Sequence, residues 1–352
     1  MDGAPPEFAA ALFGSLLSSL FAQVVVSHLD VPTMWLIGAT LGLLVAANVI
    51  CFFLSKQPET IVNAAVVKTL ILRIRAWWLM YAILVFGLFW ASPIPAVVLF
   101  GLVSFWALRE FITMTPTRRG DHRTLFWVFF LFTPAQYVLV ALGPDYFDWY
   151  SILIPVYASL FIPARIAIAG DSKRFLERSA KVQFGLLICV YALSHAPALL
   201  FLKLQTRQGN EFVPWSESHN PGLLFYFVLL VQLSEVFHYA WGRLLGQRVI
   251  APAINASRTW EGLVGGVLST GLVGALLWWV TPFTFWGSAW MGLAIAVMGF
   301  AGSMTMSAIK RDRGVRDYGT LVQGHAGVLD RIDSLCFAAP IFFHLTRAFA
   351  VA

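Results

Sequence analysis

SAIKRDRGVRDYGTLVQGHAGVLDRID, residues 307–333, is the most polar stretch in an otherwise apolar chain. Lys310, Arg311, Arg313, Arg316 and Arg331 stand among Asp312, Asp317, Asp330 and Asp333, with glycines at 314, 319, 324 and 327 and one histidine, His325. Apolar runs enclose it, SAWMGLAIAVMGFAGSMTMSA before (288–308) and SLCFAAPIFFHLTRAFAVA after (334–352). Ions at bilayer depth are expensive and usually functional, so a charged loop clamped in this way belongs at or near a membrane surface.

Composition extends that reading to the whole chain. With 59% apolar and only 12% charged residues over 352 positions, the sequence is that of an all-α, polytopic integral membrane protein, and soluble classes are excluded. Expected spans are 8–28, 33–54, 77–91, 95–112, 124–142, 149–169, 182–202, 222–242, 260–280, 287–309 and 334–350, about nine to eleven helices. They group into N-terminal helices (1–123), middle helices (124–221) and a C-terminal region (222–352) that carries the chemistry. Cys51, Cys189 and Cys336 fall inside apolar stretches and read as buried small hydrophobes.

Every Lys and Arg except Lys203, Arg207 and Arg347 lies in or beside the connections 55–76, 113–123, 170–181, 243–259 and 310–333. These alternate with less basic connections, including the acidic GPDYFD (143–148), so the basic connections face the cytoplasm. The net charge of +6 suits anionic lipid headgroups and requires no nucleic acid. Arg73 and Arg75, next to Trp77 and Trp78, read as interface anchors. The segment 170–181 reads as a separate helix capped by Asp171 or Ser172, its cations toward headgroups. Arg109-Glu110 and the loop 115–123 read as solvated positive-inside segments, with a lipid-phosphate role as the alternative.

The residue types in 307–333 point to one kind of chemistry. Carboxylates bind hard cations such as Mg²⁺, often in company with substrate phosphates. Arg and Lys clamp phosphate oxygens, and glycines let backbone N–H groups approach an anion. Together they suggest transfer of a phosphoryl or nucleotidyl group. A second stretch, LSEVFHYAWGRLLGQRVIAPAINASRTWEGLVGG (233–266), adds Glu235, the only acid in its span, and Arg258-Thr259 at the start of a helix, where unpaired N–H groups favour phosphate. Gly262, Gly266 and Gly274 with Thr270 form a small-residue stripe for close helix packing.

These two stretches resemble the phosphatidate cytidylyltransferase family, the CDP-diacylglycerol synthases. The family signature is matched in register by Ser307, Lys310-Arg311, Arg316-Asp317, Gly319, His325-Ala326-Gly327 and Asp330-Arg331-Ile332-Asp333, and upstream by Glu235, Tyr239, Gly242-Arg243, Arg258-Thr259-Trp260-Glu261-Gly262 and Gly265-Gly266. Arg316 replaces a Lys, Gln323 a common Pro, Ala326 a Gly, Glu235 an Asp, and Asn255-Ala256 a Ser-Pro. The resemblance implies a membrane enzyme that takes CTP and phosphatidate at its cytoplasmic face, requires Mg²⁺, forms a homodimer and resides in a bacterial inner membrane. It points to Asp317, Asp330 and Asp333 as metal carboxylates with Glu235 behind them or as a further ligand, Lys310 in the catalytic set, and Arg311, Arg316, Arg331, Arg258, Thr259 and His325 around the phosphates. Two alternatives remain at this stage: a nucleotidyltransferase for another lipid phosphate, or a non-catalytic transporter or assembly subunit.

Overall fold

The computed structural model describes residues 30–56, 64–88, 92–114, 118–209, 211–315 and 327–350. The chain folds as helices, as a lipid-embedded backbone must if its N–H and C=O groups are to be satisfied within each segment. Ten helical runs are present among the described residues. They are α1 (Val31–Ser55), α2 (Ala64–Leu88), α3 (Ile94–Met114), α4 (His122–Ala141), α5 (Pro144–Ile168), α6 (Phe175–Phe201), α7 (Asn220–Leu244), α8 (Trp260–Leu276), α9 (Phe285–Asp312) and α10 (Leu329–Ala350). Among the described residues, seven candidate spans are long and apolar enough to cross a membrane, and Trp77–Leu88 and Trp260–Leu276 are shorter apolar helices. The protein is therefore a multi-pass membrane protein. The expected span 8–28 lies outside the described residues. The expected short span at 77–91 is instead the C-terminal half of α2, which begins at Ala64.

Two compact units divide the chain between Pro95 and Ala96. In the first, α1 and α2 are tied by the Tyr81 hydroxyl, which donates to the Ile37 carbonyl at 2.9 Å. Leu43, Ile50 and Phe53 of α1 are exposed, as lipid-facing side chains would be.

In the second unit, α7, α8, α9 and α10 pack in succession, and α10 also packs against α6. The core between α7 and α10 is aromatic. Tyr226, Phe225, Phe227, Phe342 and Phe343 are fully buried, and Phe227 stacks on Phe342 with centroids 4.9 Å apart. The glycine stripe of α8 performs the expected packing: a Cβ on Gly266 would lie 2.0 Å from the His238 ring, and one on Gly274 would lie 2.7 Å from the Ser288 carbonyl. Thr259 and Thr284 cap α8 and α9, their hydroxyls accepting from Gly262 N at 3.1 Å and Gly287 N at 3.2 Å.

The middle helices contain π turns at Val128–Phe132, Leu153–Ala158 and Leu187–Ala192. Thr133 and Ser159 hydroxyls donate back to the Val128 and Ile154 carbonyls at 2.9 and 3.1 Å, supplying partners to carbonyls next to the wider turns.

Three expectations are corrected. Segment 170–181 is not a separate helix: α6 starts at Phe175 and continues to Phe201, and its N-cap is Arg174 in the left-handed region (φ 50°), not Asp171 or Ser172. Its Arg178 does not face headgroups but is buried, with Nη2 2.9 Å from Asp121 Oδ1. The connections between α6 and α7 and between α7 and α8 contain antiparallel hairpins that the sequence reading did not anticipate, β1 (Gln205–Gln208) with β2 (Glu211–Pro214), and β3 (Val249–Ala251) with β4 (Asn255–Thr259).

Candidate active site

The charges of 307–333 that the structure describes sit on helix ends and not on a loop. Lys310 and Arg311 occupy the last turn of α9, which favours cations, and Asp330 the first turn of α10, which favours anions. The Lys310 ammonium lies 2.6 Å from Asp330 Oδ1, and the side chains are only 17% and 6% exposed, so the pair is shielded from water. Arg316, Asp317 and His325 lie outside the described residues.

A second pair is built from α7 and the β3–β4 hairpin. β4 ends at the α8 cap and carries Arg258 toward α7, where its guanidinium meets Glu235 Oε2. The same Nη2 reaches Ser303 Oγ of α9 at 2.6 Å. The other Glu235 oxygen accepts from the Ser334 hydroxyl at 2.7 Å. Ser334 links this pair to α10, because its backbone N–H donates to Asp333 Oδ1 at 2.7 Å. His238 is buried one turn along, with both ring nitrogens without hydrogen-bond partners. Its ring packs edge-on against Phe300, over which the Arg258 guanidinium also sits.

Among the described carboxylates of this cluster, Asp330 and Glu235 each face a cation, whereas Asp333 accepts only from Ser334. Gly302 fixes its backbone: a Cβ there would lie 2.7 Å from the Asp333 carbonyl oxygen, so α9 and α10 touch at this point. Arg311 donates from Nε to the Ile254 carbonyl at 3.1 Å, and Asn255 Nδ2 donates to Ser307 Oγ at 3.2 Å. Both bonds dock the hairpin on the end of α9, so Arg311 holds the turn that aims Arg258.

Sequence reasoning passed over Glu110, which was grouped with solvated positive-inside residues. It is 3% exposed, and its carboxylate accepts from the backbone N–H of Val328 at 3.0 Å and of Leu329 at 2.9 Å. It thus satisfies two of the donors left open where α10 begins. The available signal was an acid at the end of an apolar span. Ser303 and Ser334 carried no signal of their own. Arg118 binds within the protein: its Nη1 lies 2.9 Å from Asp171 Oδ2, which holds the Asp171 carboxyl below its ordinary value.

Among the described residues no group of three carboxylate, histidine or cysteine side chains is positioned to hold a metal ion. A Mg²⁺ site does not require three protein ligands, since one or two carboxylates with substrate phosphates and water suffice. Asp333, a carboxylate without a cation beside the Asp330–Lys310 pair, is a donor of that kind.

A multi-pass membrane protein with two cation–carboxylate pairs and a spare carboxylate at one end of packed helices is suited to handling anionic groups at a membrane surface. Comparison with known proteins gives the family: residues 71–349 match the cytidylyltransferase family, and the chain belongs to it. It is a cytidylyltransferase. It is 34% identical over 283 residues to the uncharacterized protein YnbB of Escherichia coli, an alignment covering 78% of this chain and 87% of that protein. The phosphatidate cytidylyltransferase of Haemophilus influenzae is 37% identical over 131 residues, 35% of this chain and 45% of its own. That of Staphylococcus haemolyticus is 27% identical over 183 residues, 49% of this chain and 70% of its own.

Proposed function

We propose that this enzyme transfers a cytidylyl group from CTP to phosphatidate, forming CDP-diacylglycerol and pyrophosphate for phospholipid synthesis. The observation that carries the reading is the convergence of Lys310–Asp330, Arg258–Glu235 and the cation-free Asp333 where α7, α9, α10 and the hairpin meet. Its location in a cytidylyltransferase whose partial relatives are named phosphatidate cytidylyltransferases supports the substrate assignment. The basic connections support a cytoplasmic orientation in a bacterial inner membrane, and a homodimer is part of the same proposal.

The phosphatidate monoester is already ionised near neutral pH, so the reaction needs alignment and charge neutralisation more than a strong base. A lipid phosphate oxygen attacks the α-phosphorus of CTP, a P–O bond forms, and the α–β bridging bond breaks with release of pyrophosphate. Lys310 and Arg258, each paired with a carboxylate, supply cations to the phosphate oxygens. Arg331, with Arg316 and His325, adds donors from the same connection, and Arg311 and Thr259 hold the hairpin and the α8 start in place. Asp333 and Asp330, with Asp317, would hold Mg²⁺, which supplies charge neutralisation on the nucleotide phosphates. Glu235 is assigned to orient Asp333 through Ser334 and to hold Arg258.

The Glu235–Arg258 pair favours a second reading, in which the acceptor is a different lipid phosphate. Both residues are longer-reaching or more forked than the Asp and Lys of the family pattern, and Arg is not equivalent to Lys at a phosphate. Purified protein with Mg²⁺, labelled CTP and a panel of lipid phosphates separates the two. A phosphatidate product at the highest rate supports the first reading, a faster alternative acceptor supports the second, and no lipid-linked cytidylyl product with any acceptor refutes both.

A further inference from the structure

At the end of the helices away from the Lys310–Asp330 pair, an open cavity of about 200 Å³ is lined by α4, α5, α6 and α10. Asp330 and Arg347 are separated along α10 by a rise of about 25 Å, so the cavity lies toward the other end of that helix. Its wall is apolar and aromatic, including Val140, Phe147, Tyr150 and Phe343, and Lys203 and Arg347 stand in its lining. These are two of the three cations that violate the positive-inside distribution of the chain.

Arg347 is held by a ring contact, and the backbone leading to Lys203 is fixed. Lys203 follows the end of α6, where the Asn220 amide donates to the Leu200 and Leu202 carbonyls at 3.2 and 2.9 Å and fixes the backbone. Arg347 sits over the Phe147 ring, 3.6 Å from its centroid, and Phe147 in turn stacks on Phe343 at 5.9 Å. Neither cation forms an ion pair among the described residues, although Asp145 and Asp148 are carried on the same turn as Phe147. Those two acids temper the local potential, which suits a singly charged phosphodiester better than a dianionic monoester.

We infer that this cavity is a binding site for an anionic phospholipid of the leaflet opposite the active site, with Lys203 and Arg347 on its phosphodiester and the aromatic wall against its glycerol and upper acyl chains. Basic pockets between membrane helices take lipid headgroups by this chemistry. The site is independent of the proposed reaction, since neither cation is near the charged cluster.

Native mass spectrometry of the intact protein, titrated with phosphatidylglycerol, phosphatidylcholine or inorganic phosphate, tests the assignment. Phosphatidylglycerol should be retained in preference to phosphatidylcholine, and the double variant Lys203→Ala/Arg347→Ala should weaken that retention by about tenfold. Lys203→Glu alone, at an exposed position, should weaken it several-fold, and this serves if the double variant does not fold. Unchanged phosphatidylglycerol binding in the variants, equal binding of phosphatidylcholine, or displacement by inorganic phosphate alone would overturn the proposal.

Discussion

The carboxylate of Glu110 accepts the backbone N–H of Leu329 at 2.9 Å, joining α3 to the start of the helix that carries Asp330 and Asp333. Glu110→Ala leaves the Leu329 and Val328 donors without their acceptor, at a cost of about 1–3 kcal/mol each for a fully buried group. Glu110→Gln keeps a carbonyl acceptor and should lose less. The expected result is a lowered unfolding midpoint and a lower turnover for Ala than for Gln, with KM for CTP changed less than kcat. Equal, wild-type values for both variants would remove Glu110 from the support of the site.

Two glycines of α9 make a controlled pair. A Cβ on Gly302 would meet the Asp333 carbonyl at 2.7 Å, whereas one on Gly299 finds Ser334 Cβ at 3.5 Å, an ordinary contact. Gly302→Ala must push α10 away and displace Asp333, so activity should fall by about tenfold or more, since sites tolerate only about 0.5 Å of misplacement. Gly299→Ala should remain close to wild type. Activity measured on matched, folded preparations checks both, and equal activity of the two would contradict the contact.

Arg178 and Asp121 form a buried pair, 5% and 1% exposed, far in sequence from the charged cluster. Removing one partner of a buried pair costs about 3–5 kcal/mol, while replacing both by apolar groups of similar size is often tolerated. Arg178→Met should therefore lower thermal stability strongly, and the double variant Arg178→Met/Asp121→Leu should recover part of it. Turnover per folded molecule should be largely preserved in both. Arg178 also lies 3.1 Å from Asp171 Oδ2, so recovery is only partial, and its complete absence would contradict Asp121 as the partner that matters most.

Glu235→Asp shortens the link that joins Arg258 to Ser334. Because Glu235 fills that distance with contacts on both oxygens, the substitution should lower activity with the native acceptor. A gain in CDP-diacylglycerol formation would instead mark Glu235 as a misfit in an ordinary synthase.

Legibility in the sequence followed the range of each interaction. The helices and the Gly266 approach depend on local pattern and could be read directly, whereas Thr259, read as a phosphate-binding residue, caps its own helix. The first hairpin also carried a local sign, Gly209-Asn210 between two short runs, which the apolar background obscured. The Asp121–Arg178 pair, the Glu110 cap and the bridge from Glu235 through Ser334 to Asp333 join residues tens to hundreds of positions apart. Their partners are selected by packing of whole helices, and no spacing rule within one segment identifies them. Arg178 was misplaced for this reason, since a cation beside an amphipathic start looks the same whether it meets lipid or a buried aspartate.

Cytidylyl transfer dependent on Asp333 is tested most directly by following the label of CTP. With phosphatidate and Mg²⁺, label at the α-phosphorus should appear in the lipid fraction and label at the γ-phosphorus in pyrophosphate. Both signals should fall by several powers of ten in Asp333→Asn, a loss of the order of 4 kcal/mol or more. Lipid-bound γ label, or an Asp333→Asn variant as active as wild type, would contradict it.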